Sequence, residues 1–348
     1  MRISYALALT TLTTFGVSPA QAAPEPEKPL MKAVVIHAYG GPEVLKLEEV
    51  PRPEPKDDEL LIRVVAASIN PVDVAIREGY LAELVGKFPL IPGMDAAGVV
   101  EKTGSKVTKF KKGDPVFAFF TLAGEGGYAE FVVVKEDATA AKPKTVSYAQ
   151  AAAAGAAGST AWEALVDTAK LSAGQTVLIH GGSGGVGHFA IQIAKARGAK
   201  VLATASSINQ DFLKELGADV AIDYTKAKFE DVAKDVDVVL DTVGRDTLER
   251  SYGVVKKGGI IVSIVDEPKE AALDAHGIHG ATLRCTPKAD VVEELARLMD
   301  AKKITPVVSQ TFPLTEVANA QQQIATGHTR GKIVLRVADE RSSNRHSS

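Results

Sequence analysis

The chain has 348 residues, of which 45% are hydrophobic and 24% charged, and a net charge of −3. That suits about two globular domains of ~150 residues each and excludes a disordered chain, a collagen or a coiled coil. No basic excess points to nucleic acid. The single cysteine, Cys285, excludes an intrachain disulfide and a zinc site built on several thiolates.

Residues 1–22 read as a secretory signal. Arg2 supplies a short positive start, Ile3 to Val17 an apolar stretch, and Ala20-Gln21-Ala22 a small-x-small cleavage pattern. This predicts a periplasmic or secreted chain. A start at Met31, which opens the strand-like run Lys32–His37, predicts a cytoplasmic one instead. The mature chain holds no run of the ~20 apolar residues needed to cross a bilayer. Residues 338–348 are polar and read as a frayed, disordered tail.

From Met31 to about Pro143 the pattern is short strands and turns. Glu59-Leu-Leu-Ile-Arg-Val-Val and Tyr128-Ala-Glu-Phe-Val-Val-Val are examples, with turns at Gly113-Asp114 and Gly126-Gly127 and a short helix starting at Pro71. From Ser147, which can cap an Ala-rich helix, strands alternate with helices. Strand Thr176–His180 leads to a helix after Gly185, and Lys200–Ala205 to one near Asn209–Leu216. Strand Val220–Asp223 follows. Strand Asp237–Asp241 leads to a helix from Arg245, and strand Gly259–Val265 closes the series. This alternation predicts an α/β fold with a doubly wound, parallel sheet. A helix (Val291–Ala301), a strand (Val307–Phe312), a helix (Glu316–Thr326) and a strand (Lys332–Val337) then return to the first domain. The first domain is placed at 31–150 and 287–337, the second at 151–286.

The strongest local signal is Gly181-Gly-Ser-Gly-Gly-Val-Gly187. Gly182, Gly184 and Gly187 satisfy G-x-G-x-x-G, with a strand before and an amphipathic helix after. Gly182 permits the tight turn, Gly184 lets the backbone approach a pyrophosphate, and Gly187 lets the helix pack on the strand. Backbone N–H groups over Ser183, Gly185 and Val186 then face the phosphates at the helix start. An NAD site usually has an acid at the end of the second strand to bind the ribose. Here that strand ends Thr204-Ala-Ser206-Ser207, so a 2′-phosphate meets no repulsion and two hydroxyls can donate to it. The same serines can simply cap the next helix. Tyr224, Val243, Ile264 and Val265 lie at the carboxyl ends of successive strands, where open α/β sheets bind ligands.

With these motifs in place the chain from Met31 to Val337 resembles the medium-chain dehydrogenase/reductase superfamily, and within it the zinc-independent quinone oxidoreductase branch. The resemblance rests on Ala66-Ala-Ser-Ile-Asn-Pro-Val-Asp73, Arg77-Glu-Gly-Tyr80, Pro92-Gly-Met-Asp-Ala-Ala-Gly98, Gly113-Asp114, Gly127-Tyr-Ala-Glu130, Thr160-Ala-Trp162, the glycine loop, Asp241-Thr-Val-Gly244 and His328-Thr-Arg-Gly-Lys332. It implies a Rossmann domain (151–286) inserted in a mostly-β catalytic domain related to the chaperonin-10 (GroES-like) fold (31–150 and 287–337). It also implies a homodimer joined through the edges of the nucleotide-binding sheets.

Where the zinc-dependent branch has Gly-His-Glu, this chain has Gly93-Met94-Asp95. Where that branch has a ligand cysteine, this chain has Ile69-Asn70-Pro71, and the four-cysteine loop is absent. The pair His276 and His279 reads as loop surface. The expectation is therefore no metal.

The resemblance places Asn70 close to the nicotinamide pocket, where its amide can hold a substrate carbonyl oxygen. Asn70 can equally be a pre-proline turn residue. Tyr80 offers a phenolic donor or is surface packing, and Asp73 and Arg77, four apart, read first as a structural ion pair. The resemblance also sets Thr160 beside the nicotinamide ring and makes His328, Arg330 and Gly331 a C-terminal cofactor clamp, although Arg330 can also be a solvated charge. Relatives carry a basic residue just after the second strand, and here that position is near Asn209. The resulting expectation is an NADPH-dependent reductase of quinones or α,β-unsaturated carbonyl compounds, acting on a small molecule. A zinc-free enoyl-thioester reductase and a non-catalytic NADPH-binding redox sensor are the alternatives.

Overall fold

The structure, a computed structural model, describes residues 29–85, 87–121 and 125–339. The signal-like segment 1–22 lies outside the described residues, as does the expected tail 338–348 beyond residue 339. At its start Ala338 N–H donates to the Val65 oxygen, so the chain is still tied there. Strands β1 (Leu30–Val35) and β2 (Lys46–Pro51) pair as an antiparallel ribbon. Strand β3 (Glu59–Ile69) is nearly all buried, which its run of Leu, Ile, Val and Ala allows on both faces. It leads directly into α1 (Pro71–Arg77), where Pro71 suits the first helical turn and Asn70 with Asp73 forms a capping box. Next come β4 (Asp95–Thr103), β5 (Pro115–Phe119), β6 (Phe131–Lys135) and β7 (Thr139–Ala141).

Helix α2 (Tyr148–Trp162) starts at Ser147, which forms a capping box with Gln150. Its Ala- and Gly-rich sequence is buried nearly all round, because it packs on the first sheet and on the second domain at once. A Cβ at Gly155 would lie 2.7 Å from the Asp95 Cβ, so the helix approaches β4 as closely as glycine permits. A π-helical turn, Glu163–Thr168, follows it.

The second domain then runs β8 (Thr176–Ile179), α3 (Gly187–Ala196), β9 (Lys200–Ala205), α4 (Gln210–Glu215), β10 (Val220–Asp223), α5 (Phe229–Val232), β11 (Val236–Asp241), α6 (Asp246–Ser251), β12 (Val255–Ser263), α7 (Glu270–His276) and β13 (His279–Thr282). All its strand pairs are parallel, in the order β10-β9-β8-β11-β12-β13. The order reverses between β8 and β11, and ligands bind at such switch points in doubly wound sheets.

The sequence reading closes this series at β12, whereas the structure adds β13. Its residues His279-Gly-Ala-Thr282 carry no apolar alternation and are mostly exposed, so period gives no cue. His276 ends α7 and His279 begins β13, so this pair is not loop.

The chain returns through α8 (Ala289–Asp300), β14 (Val308–Pro313), α9 (Val317–Ala325) and β15 (Lys332–Arg336). Strand β15 pairs antiparallel with β3 and completes a seven-stranded sheet, in which β6 also pairs β3. The architecture is thus a Rossmann-type unit set within a GroES-like, mostly-β unit. The return is stitched to α3: Gln192 exchanges two hydrogen bonds with the Thr305 backbone, and Val307 N–H donates to His188 Nε2. Among the described residues no helix is long and apolar enough to cross a membrane.

Candidate active site

The glycine loop sits between β8 and α3, at the switch point. A Cβ at Gly182 would come within 2.9 Å of the Ala203 Cβ and 3.0 Å of Leu213 Cδ2, and one at Gly187 within 2.2 Å of the Gly181 carbonyl oxygen. Neither position admits a side chain. Gly184 differs, because its Cβ would meet only the Gly181 oxygen, at 3.3 Å. Its outer face is the approach that a phosphate needs. Two buried histidines support the loop. His180 bonds Thr204 and Ser251, while His188 Nε2 accepts from Val307 N–H, which leaves Nδ1 to donate to the Gly184 oxygen at 3.0 Å. Burial pushes both down to about 4, so both are neutral at pH 7. The C-terminal segment 328–332 reaches this loop through Gly331, whose N–H donates to the Ser183 oxygen at 2.8 Å.

At the end of β9 the two serines part company. Ser207 donates to Asp223 at 2.5 Å, and the hydroxyls of Ser207 and Thr225 hold that carboxyl down at about 2. Ser206 accepts only from Asn209 Nδ2, at 3.2 Å, and its own hydroxyl hydrogen is uncommitted among the described residues. Arg330 lies across this corner. It donates to Asn209 Oδ1 at 3.0 Å and to the Ile208 oxygen at 3.1 Å, and its guanidinium stands 4.9 Å from the Phe212 ring centroid. The basic group at this corner therefore comes from the far end of the chain. His328 is exposed, with its ring held by the Thr326 oxygen.

Tyr224, Val243 and Val265 are all about half exposed at the carboxyl ends of their strands, and Ile264 is partly buried. Asp241 shapes this rim: its Oδ1 accepts from the N–H groups of Val243 and Gly244, and its Oδ2 from Ser263.

Asn70 lies where β3 meets α1 and is 5% exposed. Around it the fold gathers ionisable groups that are almost wholly buried: Asp73, Asp95 and Lys332. Lys332 Nζ donates to Asn70 Oδ1 at 2.5 Å and to the Ile69 oxygen at 2.7 Å. Asn70 Nδ2 donates to Asp95 Oδ2 at 3.2 Å. Asp95 also accepts from Ser68 N–H and from Ala156 N–H in α2. Asp73 accepts from Asn70 N–H and, at 2.7 Å, from the Tyr128 hydroxyl. Burial pushes Asp73 up to about 7 and Tyr128 well above its usual value, while it pulls Lys332 down. Thr160 is half-buried on α2, and its hydroxyl donates to the Ala156 oxygen.

Two expectations need correction or completion. Asp73 and Arg77 do not pair. Asp73 turns inward to cap Asn70 and meet Tyr128, whereas Arg77 bonds Gln321, Gly40 and Glu78. The roles of Asp95 and Lys332 are absent from the sequence reading, although both residues stand in its motifs. Tyr80 is 76% exposed, outside the buried cluster.

Comparison with known proteins decides the family. Residues 56–144 match the alcohol dehydrogenase GroES-like domain and residues 216–335 the zinc-binding dehydrogenase family. The chain is 41% identical over 316 residues to the NADPH-dependent alkenal/one oxidoreductase, chloroplastic, of Arabidopsis thaliana, covering 88% of this chain and 79% of that one. The chain belongs to the medium-chain dehydrogenase/reductase superfamily, in its quinone oxidoreductase-like branch. It is 34% identical over 324 residues to the quinone oxidoreductase of Homo sapiens, covering 88% and 98%. The structure of the quinone oxidoreductase from Coxiella burnetii superposes with a TM-score of 0.83 at 35% identity, covering 89% of this chain and all of that one. A protein of this branch is an oxidoreductase with a nicotinamide cofactor.

Proposed function

We propose that the chain is an NADPH-dependent reductase of quinones and α,β-unsaturated carbonyl compounds that works without a metal. The observation that carries the reading is Asn70, a buried amide with one N–H uncommitted among the described residues, set in the cluster that the Gly331–Lys332 strap joins to the glycine loop. The names of the relatives point the same way.

The residues fit the cofactor. Gly182 to Gly187 form a cradle in which a Cβ has no room at two positions and Gly184 stays open. Ser183, Gly185 and Val186 would line the pyrophosphate, and Tyr224, Val243, Ile264 and Val265 the rest of the crevice, with Thr160 at the nicotinamide end. Ser206 and Arg330 would hold a 2′-phosphate by a hydroxyl and a guanidinium, while Ser207 is committed to Asp223. His328 and Gly331 close the clamp. When bound, the nicotinamide supplies a hydride.

The chain's own contribution is polarisation. Asn70 offers its free N–H to a substrate carbonyl oxygen and stabilises negative charge there as it develops. Tyr80, which is exposed, supplies a second donor. Zinc does not fit these residues. Met94 offers a thioether in place of a histidine, and among the described residues no three His, Cys, Asp or Glu side chains converge on a metal position.

We take 31–150 with 287–337 as the catalytic unit and 151–286 as the nucleotide unit, supported by the pairing of β15 with β3. Strand β13 is the edge of the six-stranded sheet and is mostly exposed, which supports a homodimer joined edge to edge. Residues 1–22 direct export, with Ala23 as the mature N-terminus, and mass spectrometry of the purified chain reads this directly.

The functional test is a substrate panel. NADPH should be consumed with 1,4-benzoquinone and with a simple enone, and the rate should survive chelation. NADPH that binds but is consumed with neither would make the chain a sensor. Activity lost on chelation would restore a metal.

A further inference from the structure

The first residue of β15 is a lysine sealed from water. Lys332 is 2% exposed. A buried ammonium is costly unless its N–H groups find acceptors. Here they find the Ile69 carbonyl and Asn70 Oδ1, at 2.7 and 2.5 Å. On its other side the Asn70 amide meets Asp95.

An ammonium can only donate, and both Asp95 oxygens already accept from backbone N–H groups of Ser68 and Ala156. The amide therefore has one orientation. Turned over, it would set NH₂ against NH₃⁺ and oxygen against oxygen. Held as it is, it has spent its oxygen on Lys332 and one N–H on Asp95, and the second N–H is uncommitted among the described residues. A positive charge on the amide oxygen also draws electrons from the nitrogen and strengthens that remaining donor.

The same short strap reaches the cofactor loop. Gly331 N–H bonds the Ser183 oxygen, and a Cβ on Gly185 would lie 3.3 Å from Lys332 Cδ. The lysine stem runs beside the glycine loop while its head holds the amide. Gly331 has φ of +61° and no room for a Cβ, which would lie 2.3 Å from the Val307 oxygen. The strap therefore has little freedom to shift one contact without the other.

We infer that Lys332 is a positioning residue for Asn70: it selects the amide orientation, polarises the free N–H, and fixes that donor relative to the phosphate-binding loop. The inference rests on the reading of Asn70 as the donor to the substrate oxygen.

A double-mutant cycle tests it. Wild type, Lys332→Met, Asn70→Ala and the double variant are compared by single-turnover reduction of an enone at saturating NADPH, alongside NADPH affinity and thermal denaturation. Lys332→Met should slow the wild-type background about tenfold, less than the ~10²–10³ typical for loss of an oxyanion donor itself. In the Asn70→Ala background the further loss should be under about twofold. Equal losses in both backgrounds would overturn the inference and leave Lys332 a structural residue. Should Lys332→Met fail to fold, Lys332→Gln carries the same cycle, since it keeps an N–H for Asn70 without the charge. It should be slower than wild type only where Asn70 is present. A folded Lys332→Gln at the full wild-type rate would also overturn the inference. Asn70→Ala at the wild-type rate would instead defeat the underlying reading of Asn70, so the two failures are distinct.

Discussion

The glycine loop and the buried cluster around Asn70 are joined by two residues, Gly331 and Lys332, and are built by opposite means. The loop works through its backbone. It requires the absence of side chains at Gly182 and Gly187, and its neighbours β8 and α3 adjoin it in sequence. The cluster works through side chains. Asn70 with Asp73, Asp95, Tyr128 and Lys332 come from four separate segments, and Lys332 and Asn70 are 262 residues apart. The loop needs only local geometry, whereas the cluster needs the whole first domain folded with its C-terminal return in place. On the proposed roles, binding of the cofactor and polarisation of the substrate can fail separately, and variants should divide along that line.

The largest effect should come from Asp95→Ala. Its carboxylate accepts from Ser68, Asn70 and Ala156 and stands among buried charges that include Lys332. Removing one partner of a buried charge set costs about 3–5 kcal/mol, read by chemical denaturation. A loss below about 1 kcal/mol would mean that the cluster is not electrostatically coupled.

Gly187→Ala sharpens the other side of the comparison. Its Cβ would press on the Gly181 oxygen and the Gly182 Cα. Overpacking of this kind costs about 1–3 kcal/mol, and NADPH affinity should fall with it. Gly184→Ala, which meets only one atom at 3.3 Å, should keep its stability and lose affinity alone. Equal stability losses for the two variants would break the reading of Gly184 as the open approach.

Ser206→Asp should act on affinity only. Like-charge repulsion at the 2′-phosphate should weaken NADPH about tenfold, which is ~1.4 kcal/mol, and NADH far less. Arg330→Met should act in the same direction. Equal losses for both cofactors, measured by fluorescence titration, would remove the 2′-phosphate contact.

The smallest effect concerns pH. His188 in the folded chain sits at about 4, below its ordinary 6.5. Between these values the unfolded chain binds the extra proton, so stability rises with pH. The His188 contribution is complete above about pH 6.5 and is lost as pH falls through about 4. Protonated Nε2 can no longer accept from Val307. His188→Gln should flatten the dependence of Tm on pH in that window, with His180 sustaining part of the slope. An unchanged slope would remove His188 as a contributor.

The loop was readable because its glycines, strand and helix follow in fixed order. The doubly wound sheet was readable for the same reason, except at β13, whose short polar run leaves no pattern. The cluster was only half readable. Asn70 came from a motif, but the helical spacing of Asp73 and Arg77 suggested a pair that burial does not make, since Tyr128 and Gln321 compete for them. Lys332 stood last in the clamp motif, and nothing local to it says that its ammonium crosses to Asn70. Such contacts are set by tertiary packing between distant strands, which periodicity does not encode.

The most direct test of the account compares wild type and Asn70→Ala in single-turnover reduction of an enone by saturating deuterated NADPH, which isolates the chemical step from product release. The account predicts that Asn70→Ala binds NADPH nearly as wild type does and reduces the enone about 10²-fold more slowly, with a smaller loss for a quinone. An unchanged rate at saturating NADPH would contradict it and return Asn70 to a turn residue. Lost NADPH binding would instead make Asn70 a cofactor contact and erase the division between loop and cluster.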